Sequence, residues 1–302
     1  MNWFTTLLSF YIRTKVFRKP TPLLSSFKLT FQCNLKCRMC PFHQRALQSG
    51  SHLSWDQAVD ILQKLKHDGC LFVVFEGGEP FLWKDGEHDL RELVLYAKKH
   101  FLRVAVTTNG TFPLDVPADV IWVSLDGLKE THDELRSNSF DRVWSNLQNA
   151  SHQNIMIHFT MHKKNWFEID QVLDELLQVP SFRGLTVQLF YPYGQGEEPL
   201  ALSPSERKSA IDKVLGLKSA GYPILNSKNT LKAMINNTWV CHDDILINVD
   251  PDGEITTGCY AKSRGKVRCN ECGFTPVAEA SGALDLSPGS MLAGWRIFIK
   301  TR

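Results

Sequence analysis

The stretch Cys33-Asn34-Leu35-Lys36-Cys37-Arg38-Met39-Cys40 places three thiols within eight residues. Three thiolates this close can take three corners of one iron–sulfur cube, and a [4Fe–4S] cluster ordinarily takes four cysteines. A three-cysteine site therefore leaves one iron open to a ligand that is not protein. A structural zinc site asks instead for four ligands, commonly as paired Cys-x-x-Cys knuckles, and a single run of three does not suit it. The eight cysteines of the chain are unevenly spread, three at 33–40, four at 241–272 and Cys70 alone between them. Two tight groups predict metal sites rather than a disulfide framework, and so a reducing, cytoplasmic compartment.

A length of 302 residues suffices for one α/β barrel with a small appendage. The apolar fraction of 43% and charged fraction of 22% are those of a soluble domain. A net charge of +2 with no basic stripe excludes a nucleic-acid partner. Residues 1–23 form a separate segment that mixes Trp3, Phe4, Leu7, Leu8, Phe10 and Tyr11 with Arg13, Lys15, Arg18 and Lys19, and contains no acid. Its apolar run is far shorter than the ~20 residues of a membrane span. The basic residues follow the apolar ones, unlike a secretory signal. Two fates are expected. One is an interfacial helix giving peripheral contact with the inner membrane face through residues 1–19. The other is a helix closing the open end of the barrel, its basic residues in solvent. Pro20 and Pro22 end the segment.

From residue 24 to 220, strand and helix patterns alternate. Ser26–Gln32 alternates apolar and polar residues, as a strand does. Ser54-Trp55-Asp56-Gln57 is a capping box and starts a helix that Gly69 ends. Cys70–Phe75 is a continuous apolar run, expected of a strand buried on both faces, with Cys70 an inert core thiol. Further strands are read at Arg103–Thr107, Val120–Leu125, Asn154–Met161 and Leu185–Phe190. Further helices are read near 87–100, 140–150, 166–177 and 204–220. Six strands with crossover helices imply a parallel sheet, whose ligands gather at the carboxyl ends of the strands. Residues 221–302 read differently: few helical periods, and Asp250-Pro251-Asp252-Gly253 as a turn between two short strands.

Unusual residues fall at the strand ends. The second strand runs into Gly77-Gly78-Glu79-Pro80, where glycine lets backbone approach a ligand. The third ends in Thr107-Thr108-Asn109-Gly110, the fourth in Ser124-Leu125-Asp126-Gly127, and Arg136 follows within ten residues. Cys241, Cys259, Cys269 and Cys272 can fully ligate a second [4Fe–4S] cluster or a zinc ion. His43, His158, His162, Tyr191, Tyr193 and the loop Gly194-Gln195-Gly196 read as core, surface or ordinary loop residues.

The three-cysteine run followed some 40 residues later by Gly-Gly-Glu-Pro resembles the radical S-adenosylmethionine (SAM) enzymes. The resemblance implies a partial (β/α)6 TIM-type barrel at 24–220 with a small cysteine-rich β-hairpin extension at 221–302. It implies that Cys33, Cys37 and Cys40 hold a [4Fe–4S] cluster whose open iron takes the amino and carboxylate groups of SAM. Met39 then lies near the adenine, and Gly77, Gly78, Glu79 and Pro80 hold the amino group. Asn109 and Ser124 reach the ribose or carboxylate, and Arg136 forks onto the carboxylate. Cys241, Cys259, Cys269 and Cys272 resemble the ligands of a single auxiliary cluster of the SPASM/twitch type. An electron from a donor such as flavodoxin or ferredoxin would cleave SAM to a 5′-deoxyadenosyl radical that attacks the substrate. That substrate is a peptide, as for relatives with this extension, or a lipid or isoprenoid, which the amino-terminal segment suits. Cys269-Asn270-Glu271-Cys272-Gly273-Phe274 also resembles the tail of hopanoid-adenosylating members. The competing reading is a non-catalytic iron–sulfur or zinc-binding interaction protein, which would leave the Gly-Gly-Glu-Pro turn without a purpose.

Overall fold

The computed structural model describes residues 3–19, 21–40, 42–47, 50–194, 196–263, 265 and 267–299; Pro20 and Gln195 lie outside them. One eight-stranded sheet organises the molecule. Its strands are β1 (Leu24–Thr30), β2 (Phe72–Gly77), β3 (Arg103–Thr108), β4 (Val120–Ser124), β5 (Ile155–Met161), β6 (Phe182–Leu189), β7 (Leu246–Val249) and β8 (Ile255–Thr257). Their order is β8-β7-β1-β2-β3-β4-β5-β6. Every neighbouring pair is parallel except β7 and β8.

The first helix, α1 (Trp3–Tyr11), continues as a π-helical turn, Ile12–Val16. Helices α2 (Trp55–His67), α3 (Leu90–Lys98), α4 (Lys129–Leu135), α5 (Phe140–Gln148), α6 (Ile169–Leu176) and α7 (Pro204–Ser219) lie between the strands of the sheet and after β6. The capping box at Ser54 forms: its hydroxyl accepts the Gln57 N–H, and the Gln57 side chain accepts the Ser54 N–H. The main core lies between these helices and one face of the sheet, around Phe27, Leu29, Val73, Phe75, Val104 and Val106. The polar residues of β1 are no less buried: Ser25, Ser26, Lys28 and Thr30 are all closed off from solvent. Alternation in this strand thus separates two interior faces, not core from water. Cys70 is buried, and its thiol, pushed up to about 12 by burial, donates to the Phe72 carbonyl at 3.4 Å.

The carboxy-terminal third departs from expectation in two ways. The β7–β8 hairpin is present but is no separate module, because β7 pairs with β1 in parallel, Leu24 against Leu246 through Phe27 against Val249. Three helices also stand where few helical periods were read: α8 (Lys228–Asn236), α9 (Thr275–Leu284) and α10 (Pro288–Phe298). The pattern of α9 and α10 is masked by small residues that let them pack closely: a Cβ on Gly282 would come within 2.5 Å of Ser290 Oγ. Such a composition reads as loop in a sequence, although Pro276 and Pro288 each sit in a first helical turn, where proline is accepted.

Helix α1 packs at the amino-terminal end of the strands. Phe10 is buried among Leu71, Phe72, Leu102 and Leu246. Lys15 pairs with Asp285 at 2.7 Å, while Arg13, Arg18 and Lys19 are exposed. Among the described residues no helix is long and apolar enough to cross a membrane.

Candidate active site

A cavity of about 1070 Å³ lies against the inner face of the sheet. Cys33, Cys37, Met39, Cys40, Gly77, Gly78, Asn109, Ser124 and Arg136 all line it, at the carboxyl ends of β1 to β4 and on α4's trailing turn. Five stretches of chain converge there from positions up to about a hundred residues apart. Glu79 and Pro80 are at the same strand end but do not line the cavity, and the four carboxy-terminal cysteines lie outside it.

The cysteine loop is held by backbone and side-chain bonds. The Arg38 N–H donates to Leu135 O at 3.0 Å and the Lys36 N–H to Ser137 Oγ at 3.0 Å. Arg38 pairs with Glu134 at 2.7 Å, and Lys164 joins the same carboxylate. The Leu35 N–H points at Cys33 Sγ, 3.4 Å away, and Asn109 Nδ2 lies 3.8 Å from the same sulfur while donating to Asn34 Oδ1 at 2.8 Å. Burial raises the Cys33 thiol and takes Cys37 to about 12, with the Arg136 guanidinium pulling Cys37 back. One buried and two half-buried thiols facing one cation form a donor set that a positively charged metal centre would convert to thiolates.

The glycine pair also makes room for the chain's own backbone. A Cβ on Gly77 would sit 2.4 Å from Thr30 O, and one on Gly78 would sit 2.1 Å from Gln32 O. Gly77 also has φ of 133°, outside the range of an L side chain. Without side chains here, the end of β2 bonds directly to the end of β1, Gly78 N–H to Thr30 O at 2.7 Å and Glu79 N–H to Gln32 O at 2.8 Å. The glycines thus hold the cysteine-bearing strand end in place. Glu79 extends the brace: its buried carboxylate accepts from the Asn109 N–H at 2.8 Å, Thr108 Oγ1 at 2.8 Å and the Phe81 N–H at 3.2 Å. Burial pushes its carboxyl up to about 7 against those three bonds.

Arg136 is oriented by a residue that the sequence reading took for part of a turn. Its Nε donates to Asp126 Oδ2 at 2.6 Å, and Asp126 Oδ1 accepts the Thr160 N–H at 2.7 Å. Burial pushes the Asp126 carboxyl up, but Arg136 and the Thr160 N–H outweigh it and hold the group below the usual carboxylate range. Burial pulls the Arg136 guanidinium down, and the Asp126 charge, with Cys37 and Cys40 beyond it, raises it overall. The aspartate is read as a turn residue because its partner is ten positions away, beyond a helix that periodicity did not reveal. His158, Thr160, Tyr191 and Tyr193 also line the cavity, whereas His162 is buried beside Asp126.

The second thiol group is looser. Cys259 and Cys272 are buried, and Cys241 and Cys269 exposed. Burial raises Cys241 to about 12, and the charges of Cys259, Cys272 and Cys269 add to it, so the four share one neighbourhood. None of the eight cysteines is in a disulfide. Among the described residues no three or more His, Cys, Asp or Glu side chains close tightly enough for a single metal ion. A cubane places its own sulfides between the irons and so spreads its thiolates around a larger body.

A family model described as the radical SAM superfamily matches residues 27–176. Over 215 residues, 65% of this chain and 53% of the relative, the sequence is 30% identical to Fe-coproporphyrin III synthase of Methanosarcina barkeri. Over 192 residues, 59% of this chain and 47% of the relative, it is 31% identical to the mycofactocin maturase MftC of Mycolicibacterium smegmatis. The chain thus spans about half the length of these curated relatives. The crystal structure of Streptococcus suis SuiB bound to precursor peptide SuiA matches with a TM-score of 0.64 at 16% identity, covering 97% of this chain and 71% of that one. At that identity the likeness concerns the fold, a parallel sheet with helices. Together, the cysteine trio at the end of β1, the glycine pair that clamps it and the family match over residues 27–176 place this chain in the radical SAM superfamily, whose enzymes bind a [4Fe–4S] cluster and SAM.

Proposed function

We propose that the chain reductively cleaves SAM and directs the resulting radical at a substrate held in the cavity. The observation that carries this reading is convergence: three free thiols, an arginine and the strand-end residues Asn109 and Ser124 all border one cavity at the carboxyl ends of parallel strands. Cys33, Cys37 and Cys40 would hold the cluster. When bound, the cluster and SAM supply the electron transfer and the 5′-deoxyadenosyl radical. The protein's part is position and exclusion of water. Arg136, fixed by Asp126, presents its remaining guanidinium nitrogens to a carboxylate, and Asn109 and Ser124 offer hydrogen bonds to the ribose. Met39 packs with Leu135, Phe190 and Leu200, an apolar seat for the adenine. Glu79 and Pro80 hold the strand end from behind, with Glu79 bonded to the Asn109 backbone.

Cys241, Cys259, Cys269 and Cys272 are assigned to an auxiliary [4Fe–4S] cluster, outside the cavity and so placed to pass electrons from a flavodoxin- or ferredoxin-like donor. The sheet is the wall of a partial barrel, and residues after 220 extend it. Relatives named as maturases, and a neighbour solved with a precursor peptide, make a peptide one substrate class.

Anaerobic reconstitution with iron and sulfide should give about eight irons per chain, and addition of SAM with a reductant should release 5′-deoxyadenosine. A chain that binds iron but releases none of that nucleoside is not this enzyme.

A further inference from the structure

The cavity does not end at the cofactor residues. It runs from Cys33, past the carboxyl end of β1, down to Leu24 at the strand's start, and β1 alone spans about 20 Å at the usual rise of a strand; the cavity changes character on the way. Beside the cysteines the lining is Thr108, Asn109, Ser124, Arg136 and His158. At the opposite end it is Leu24, Phe72, Val74, Leu225, Leu246 and Phe298. There the cavity opens between α1 and α10, through residues that also face solvent: Phe4, Leu8, Met291, Leu292 and Trp295 are 40–59% exposed. So many large apolar side chains around one mouth mark a binding surface. At about 1070 Å³ the space is at the upper limit of ordinary ligand pockets, and SAM at the cysteine end leaves the lower part over. Asn226, Asn248, Thr275, Glu279 and Ser290 also line the cavity, but each is engaged within the protein, which leaves few partners for the amides of a peptide.

A second pocket shares Leu225, Asn226, Leu292 and Ala293 with the mouth and is lined by Arg183, Lys218, Lys228 and Arg296. Among the described residues none of these four is within ion-pair distance of an acid. Lys218 and Lys228 are occupied only by neutral oxygens, those of Ile224 and Ser219. Burial, with Arg296 and Lys228 close by, holds the Lys218 ammonium below its usual range. The nearby carboxylate, Glu279, is turned to the Ser227 N–H at 2.6 Å.

We propose that the substrate is a long-chain anionic amphiphile, its chain entering between α1 and α10 towards the cysteine end and its head held by Arg183, Lys218, Lys228 and Arg296. This rests on the reading of the cavity as the substrate chamber. It also assigns the radical a target suited to it, an unactivated carbon of the chain. The amino-terminal helix is then one lip of the entrance.

The test uses the reconstituted full chain, with dibromostearate as a quencher of tryptophan fluorescence and n-alkyl phosphates as competitors. Quenching should saturate, and Trp122→Phe should remove much of it, because Trp122 lies inside, against Phe298 at 5.6 Å between ring centres. From octyl to decyl to dodecyl phosphate, competition should strengthen about fourfold per methylene. Lys218→Gln combined with Arg296→Gln should weaken dodecyl phosphate roughly tenfold without weakening dodecanol. The proposal is overturned if Trp122→Phe leaves the quenching intact, so that the probe only coats the mouth. It is equally overturned if chain length makes no difference, or if inorganic phosphate competes as well as dodecyl phosphate. Release of 5′-deoxyadenosine is scored separately: its absence with chain binding intact removes the cofactor reading and spares this one.

Discussion

The two cysteine groups are built in opposite ways. The group at 33–40 sits on the end of a central strand and is tied to α4 by the bonds of Lys36 and Arg38 and to β2 by the glycine pair, with its thiols towards a cavity. The group at 241–272 rides on irregular segments beside a short hairpin at the sheet's edge, two of its thiols exposed and none lining that cavity. Three donors facing an open space suit a metal centre that must accept another molecule. Four donors facing away suit one that only stores or passes charge. Cysteine replacement should separate them most sharply. Cys37→Ala should abolish 5′-deoxyadenosine release, a loss above a hundredfold on the order of other essential-group deletions, and lower the iron content. Replacing Cys269 and Cys272 together should remove about four irons yet keep release from SAM alone. If both variants lose the release equally, the contrast drawn here is broken.

The next effect concerns how firmly the first site is held. Arg136 and Asp126 form a buried pair, and Asp126→Asn leaves a buried guanidinium without its counter-charge. Removing one partner of such a pair costs about 3–5 kcal/mol, read as a fall in the urea midpoint. The weaker orientation of Arg136 should also raise the Kd for SAM. Among the described residues no comparable buried pair stands at the second group, where Asp243 and Lys262 meet at the surface. Lys262→Ala should therefore cost less than about 1 kcal/mol.

Acid sharpens the same contrast. His132 and His162, both near Asp126 and Arg136, are held down to about 4 by burial, with Arg136 adding to the effect. Below the ordinary histidine value of about 6.5 the unfolded chain takes up protons that the folded chain refuses. Stability is therefore lost as pH falls from 6.5 towards 4, by on the order of 3 kcal/mol for each histidine. Glu79 acts the other way: its folded value of about 7 lies above the unfolded one, so its protonation adds stability as pH falls from 7 to about 4.5. Urea midpoints across this range should fall more steeply in Glu79→Gln than in the parent chain. A parallel profile would mean that Glu79 is not the buried brace described here.

The first region was also the legible one. Strands β1 to β6 and the helices after β2, β4, β5 and β6 were readable because apolar runs and periods of long side chains mark them, and the capping box at Ser54 marks a start. What was hidden there is long-range: that Asp126 orients Arg136, that glycine at 77 and 78 also makes room for the end of β1, and that the polar face of β1 is interior. In the last third the β7–β8 hairpin was readable from its turn, but its parallel pairing with β1, more than two hundred residues earlier, was not, and α9 and α10 escaped because small residues build their contact. Local pattern carries local structure. It does not carry a register set by a distant strand, or a helix packed through Gly282 and Ser290.

The smallest predicted effect tests that difference in the helix starts themselves. Ser54 accepts the Gln57 N–H at 3.2 Å and Asp85 the Trp55 N–H at 2.7 Å, so Ser54 satisfies one of the free N–H groups of the first turn of α2 and Asp85 another. Ser54→Ala should cost about 1 kcal/mol. Ser287 stands at the corresponding position of α10, yet its side chain makes no such bond. The start of that helix is set instead by Pro288 and by contact with α9 and α8. Ser287→Ala should therefore change the midpoint by no more than a few tenths of a kcal/mol, while Gly282→Val, which drives a branched side chain into Ser290, should cost about 1–3 kcal/mol. If the two serines prove equal, α10 is capped like α2, and its start was written in the sequence after all.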